Sequence, residues 1–99
     1  MRIRTTHEAD DDISRLYAYG FRQYGEAQAN AYLQGLRKLF ELLTASPLIA
    51  RERAEFDPPV RVHRYGSHMV IYRIAGNDIL IVRVMSGRQD WQSELGASA

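Results

Sequence analysis

Ninety-nine residues, 45% hydrophobic and 25% charged, suffice for one soluble domain spanning 1–99 and not for two. A net charge of +1 gives no electrostatic case for nucleic acid, so direct DNA binding by the chain alone is not expected. The absence of cysteine excludes disulfides and thiolate metal sites, and no run approaches the roughly 18 apolar residues of a membrane span. The polar start, Met1 to Asp12, lacks the apolar stretch of a signal peptide, and a cytoplasmic location is expected.

Arg2 to Thr5 reads as a short first strand. Thr5 and Glu8 have capping-box spacing, so a helix is expected to start there. Asp10, Asp11 and Asp12 read as carboxylates at the positive end of that helix rather than as a metal site. Ala9, Ile13, Leu16, Tyr17, Gly20, Phe21 and Tyr24 form one helical stripe, closed by Gly25. A second stripe runs through Ala29, Tyr32, Leu33, Leu36, Phe40 and Leu43, widened by Leu39 and Leu42, and Ser46-Pro47 stops it. The two helices make an antiparallel hairpin.

Leu48 to Pro59 lacks periodicity and reads as a loop, carrying Arg51 and Arg53. The period then becomes two: Val60–Tyr65, His68–Ile74 and Ile79–Met85 are predicted strands, joined at Gly66-Ser67 and Gly76-Asn77. Ser86 to Leu95 is expected to add one helical turn, and Gly96 to Ala99 is expected to fray. The fold class is therefore α+β: an N-terminal strand, an antiparallel helical hairpin and a three-stranded antiparallel sheet.

Two-residue turns would sort the sheet into two faces. One carries Val60, Val62, Met69, Ile71, Leu80, Val82 and Val84 with Arg64 and Arg73, and is expected to seal against the helices. The other carries Arg61, His63, Tyr65, His68, Val70, Tyr72, Ile79, Ile81, Arg83 and Met85. Its mixture suits a binding surface, a solvated polar face being the alternative. His63, Val70 and Arg83 would form one row and Arg61, Tyr72 and Ile81 the next. Arg61 and Arg83 would then stand about 12 Å apart, a span for a phosphodiester or an acidic peptide. A one-residue slip would reverse the later strands.

Twelve of the 13 basic residues are arginine, Lys38 being the exception. Arginine grips carboxylates and phosphates bidentately, although genomic codon bias explains such an excess equally well. No metal site is expected from His7, His63 and His68, and no cofactor motif or nucleophile elbow occurs.

The order of these features resembles the RelE/ParE toxins, and the detail resembles the ParE branch. Tyr24-Gly25-Glu26-Ala27-Gln28-Ala29 with Tyr32 and Leu33 is similar to that branch's helix junction, and Ala45-Ser46-Pro47 with Arg51 to the end of its second helix. Arg61, Tyr65-Gly66-Ser67-His68, Val70-Ile71-Tyr72-Arg73 and Ile81-Val82-Arg83-Val84-Met85 with Gly87-Arg88-Gln89-Asp90-Trp91 are similar to its strands and ending. The resemblance spans residues 2 to 95.

That resemblance implies a toxin that inhibits DNA gyrase without catalysing a reaction and is neutralised by a ParD-like antitoxin whose disordered tail folds on it. An apolar groove with cationic anchors at the helical hairpin edge would serve such a tail. Tyr17, Phe21, Leu48, Arg64, Arg73 and Arg83 are the residues expected there, with Leu33 better read as hairpin packing. The rival RelE branch implies a ribosome-dependent endoribonuclease, for which Arg51, Arg53, Arg61 and Arg83 would be catalytic. Against it, Asp90 and Trp91 stand where a tyrosine is usual, and arginine cannot deprotonate to act as a base. Ser86 departs from ParE, where histidine is usual. A non-toxic binding module is a third reading.

Overall fold

A computed structural model describes residues 1–98, and side chains through residue 96. Strand β1 (Ile3–Thr5) leads into helix α1 (His7–Tyr24), which joins α2 (Glu26–Ala45) through one residue. Strands β2 (Glu52–Arg53), β3 (Val60–Tyr65), β4 (His68–Ala75) and β5 (Asp78–Ser86) follow, and α3 (Trp91–Ser98) ends the chain. The sheet has five strands, in the order β1-β5-β4-β3-β2, not the expected three. The two additions are short edge strands: β1 runs parallel to β5, and the loop contributes β2 beside β3.

Local chemistry explains the element ends. The N-cap of α1 is Thr6, one residue later than the capping-box reading, and its hydroxyl accepts from the Ala9 N–H. Gly25 closes α1 at φ 90°, donating its N–H to the Phe21 carbonyl, and lets α2 start at once. Ser46 caps α2 where proline was expected to stop it. Helix α3 exceeds the single turn expected and continues through Gly96 to Ser98; the part of the fraying expectation that falls on Ala99 lies outside the described residues.

Both β3–β4 and β4–β5 open with the expected register, for example Arg61 opposite Tyr72 and Tyr72 opposite Ile81. A bulge then breaks the second ladder: Ile71 pairs with Arg83 and Val70 with Val84. The row expected as His63–Val70–Arg83 is therefore His63–Val70–Val84.

The face expected to seal against the helices is the wrong one. The helical hairpin buries Val70, Tyr72, Ile79, Ile81 and Val84 under Ala9, Leu36, Leu39 and Leu43. The apparently mixed face is buried because its polar residues reach out to partners: Tyr72 donates to the Pro47 carbonyl, and Arg61 to the Ala50 carbonyl at 2.6 Å. The opposite, outer face forms a smaller core, in which Val60, Ile71 and Met85 lie under Trp91 and Leu95 of α3. Phe56 packs there too, its ring stacked on Trp91 at 6.1 Å, with the Arg53 guanidinium 5.5 Å from the Trp91 ring.

Candidate functional site

Eight-residue α3 cannot cover the whole outer face of the sheet. The remainder is a groove of about 500 Å³, with Val60, Leu80 and Val82 on its floor and Phe56 and Leu95 among its walls. Arg73 and Arg83 line it, with Thr6 and Glu8 at the β1–α1 junction. An apolar floor flanked by guanidinium groups is equipped to bind an amphipathic acidic segment, with burial giving affinity and charge giving orientation.

Arg83 is fixed by a residue that sequence reasoning missed. The Asp12 carboxylate, 6% exposed, accepts from Arg83 Nε at 2.7 Å and from its terminal nitrogen at 3.0 Å. It also accepts from Arg15 at 2.9 Å and from the Val84 N–H at 3.0 Å. Its hydrogen bonds raise the Arg83 pKa above its ordinary value. Beyond Val82 the β5 edge has lost its β1 neighbour, and side chains take over the ladder. Thr6 donates its hydroxyl proton to the Val82 carbonyl, Asp12 serves Val84, and Gln89 accepts from the Ser86 N–H. Asp12 was legible in principle: with Ala9, Ile13 and Leu16 it falls on the buried stripe of α1.

A second recess, about 320 Å³, opens on the helical side between α1, α2 and the β3–β4 turn. Tyr17, Tyr19, Tyr24 and Tyr32 line it with His68. Behind it Tyr32 and Tyr65 are locked reciprocally: each hydroxyl donates to the other's backbone carbonyl, at 3.1 and 2.7 Å. Their rings lie 4.7 Å apart, and the Tyr32 hydroxyl also meets His68 Nδ1 at 2.7 Å. Burial holds the His68 pKa below its ordinary value and pushes that of Tyr65 up.

The expected site residues are not gathered in one place. Tyr17 and Phe21 are neighbours on α1, ring centroids 6.3 Å apart, and Tyr17 donates to Asn30 of α2. Leu48 is exposed in the loop after α2. Arg64 and Arg73 lie on the outer face, turned away from the hairpin whose edge they were expected to furnish. Their strand positions are far apart too, since Arg64 pairs with Met69 and Arg73 with Leu80. Only Arg73 and Arg83 of the six share a groove. Leu33 packs into the hairpin core, as read.

Arg51, Arg53, Arg61 and Arg83 do not converge either. Arg51 is exposed in the loop, Arg53 is held by Glu55 beneath Phe56 and Trp91, and Arg61 faces the helical side. Arg83 stands at the far edge on Asp12. The phosphate-holding pair of Arg61 and Arg83 is therefore not formed: the bulge and two internal partners separate them. Among the described residues no cluster of His, Asp and Glu is arranged to hold a metal ion, and no helix is long and apolar enough to cross a membrane.

Comparison with known proteins agrees with this architecture. Residues 3–91 match the family model described as the ParE toxin of the type II toxin–antitoxin system, parDE. The chain is similar to Toxin ParE3 of Caulobacter vibrioides, 28% identical over 95 residues, covering 96% of this chain and 95% of that one. It is also similar to Toxin ParE1 of Mycobacterium tuberculosis, 30% identical over 83 residues, covering 83% and 85%. A solved chain of a chromosomal ParDE system from P. aeruginosa superposes with a TM-score of 0.73 at 20% identity, over 87% of this chain and 95% of that one, and shows the shared fold. With the family model spanning nearly its whole length, this chain belongs to the ParE toxin family of type II toxin–antitoxin systems.

Proposed function

We propose that this protein inhibits DNA gyrase in the cytoplasm by binding it, catalyses no reaction of its own, and is neutralised by a ParD-like antitoxin. The dispersal of Arg51, Arg53, Arg61 and Arg83 carries the choice of binder over ribonuclease. Cleavage of RNA needs a base, an acid and phosphate ligands within reach of one bond. Here Arg53 and Arg61 turn to opposite faces of the sheet, Arg83 is clipped to Asp12 on another strand, and all three are held by internal partners. The half-covered outer face supports the antitoxin: its apolar floor and arginines suit a segment that folds as it binds.

Purified protein in a gyrase supercoiling assay tests the reading. Inhibition relieved by one equivalent of a ParD-like partner is the expected result. Undiminished supercoiling at large molar excess, together with cleavage of messenger RNA on translating ribosomes, would replace it with the endoribonuclease reading.

A further inference from the structure

The tyrosine-lined recess between α1, α2 and the β3–β4 turn lies apart from the outer groove, and two of its residues do more than packing requires. The first is Gly20. It sits inside α1 with ordinary helical backbone, since only Gly25, Gly66 and Gly76 have positive φ. A Cβ there would meet nothing nearer than the Ala29 Cβ at 3.8 Å, an ordinary contact. Neither the backbone nor close packing asks for glycine, and glycine inside a helix costs stability relative to alanine. What the missing side chain provides is open space in the recess that Gly20 lines.

The second is His68. The Tyr32 hydroxyl has one proton, which goes to the Tyr65 carbonyl, so His68 Nδ1 must supply the proton of their 2.7 Å contact. Burial lowers the His68 pKa and keeps the ring neutral at pH 7, which leaves Nε2 as an acceptor. No hydrogen bond among the described residues uses Nε2, and it is not sealed from solvent. With His68 neutral, the lining carries no charge, and Tyr17, Tyr19, Tyr24 and Tyr32 supply its rings. An ion entering would lose water without gaining a counter-charge, so these walls select an uncharged ligand. Tyrosine rings suit a flat aromatic partner, and a single free imidazole acceptor suits a single donor. The volume of about 320 Å³ is at the small end for ligand cavities and holds one or two fused rings.

We infer that this recess binds an uncharged, planar aromatic small molecule of one or two rings, whose N–H or O–H donates to His68 Nε2. Tyr19 and Tyr24, 55% and 61% exposed, form the rim. The backbone of an inserted partner segment would have to displace them, whereas a free ring would not.

Indole and benzofuran, nearly the same shape with and without an N–H, are the probes, titrated into the whole protein near pH 7.5 and followed by ¹⁵N NMR. Indole is expected to bind about three- to ten-fold more tightly, the worth of one hydrogen bond, and to shift the His68 Nε2 resonance. Gly20→Leu keeps a good helix former but fills the space, and should weaken both ligands by about ten-fold or more. His68→Phe should leave benzofuran binding within about two-fold of wild type and bring the preference for indole to near unity. Equal affinities for the two probes, no saturable binding of indole, undiminished binding by Gly20→Leu, or a preference that survives His68→Phe would overturn the inference. N-acetyl-tryptophanamide completes the set: weaker binding than indole is expected, and tighter binding would reassign the recess to a partner's side chain and overturn the small-molecule reading.

Discussion

Replacing Asp12 by alanine removes an acceptor that serves Arg83 twice, Arg15 once and the Val84 N–H once. The contributions are unequal. The Arg15 side chain is 68% exposed, so water replaces its partner at a cost of at most about 1 kcal/mol. The Arg83 side chain is 16% exposed, and Val84 is buried at 3%. Breaking a buried pair from one side costs about 3 to 5 kcal/mol, and an orphaned buried N–H about 1 to 3. These terms overlap, and Arg83 lies near a groove that water enters, so the low end applies. We predict a loss of about 3 to 4 kcal/mol, a large share of the roughly 5 to 15 kcal/mol of a domain this size. Urea unfolding followed by circular dichroism would measure it, and the melting temperature should fall by roughly 12 to 30 °C. The double variant Asp12→Leu with Arg83→Met should recover part of the loss, because neither charge then remains buried alone. A single-variant loss below about 1 kcal/mol, or a double variant no more stable than Asp12→Ala, would refute the assignment of Asp12 as the clip between α1 and β5.

Other outcomes follow from the helical side of the sheet. A Cβ at Gly35 would collide with the Tyr65 hydroxyl, so Gly35→Ala should destabilise by about 1 to 3 kcal/mol despite alanine's better helix propensity. In a Tyr65→Phe background the cost should shrink, and urea titration of the four proteins would measure the coupling. Burial holds the folded-state His68 pKa below 6.5, so the unfolded chain takes up this proton more readily. That contribution is full above about pH 6.5 and is lost as pH falls through the depressed folded value; melting temperatures of wild type and His68→Gln should therefore converge on acidification. Arg53→Ala should cost roughly 1 kcal/mol by unstacking Phe56 and Trp91, read as a blue-edge change in tryptophan emission together with a lower urea midpoint.

Elements with a local cause were legible in the sequence. The helical hairpin, its glycine junction and all three long strands lie where period and turn chemistry put them, because those signals act within a few residues. The short strand β1 lies where it was read, at Ile3–Thr5, but its pairing with β5 joins residues distant in sequence, and no local pattern marks β2. Sheet polarity failed for a related reason. Arg61, Tyr65 and Tyr72 look exposed by composition, yet each finds a backbone carbonyl beneath the helices. The bulge at Ile71/Tyr72 then moved Arg83 out of the expected row, and with it the supposed phosphate pair. Of the six residues expected at the edge of the helical hairpin, Arg73 and Arg83 line the outer-face groove instead. Asp12 could be placed on the buried stripe of α1, but its pairing with Arg83 on β5 is a tertiary contact that no local pattern marks.

The most direct test of the gyrase account is a DNA-cleavage assay with purified gyrase, plasmid DNA and increasing amounts of this protein. Linear DNA accumulating in proportion to the protein, and disappearing when a ParD-like antitoxin is added, is the predicted result. An unchanged linear fraction at ten-fold molar excess over gyrase would contradict it.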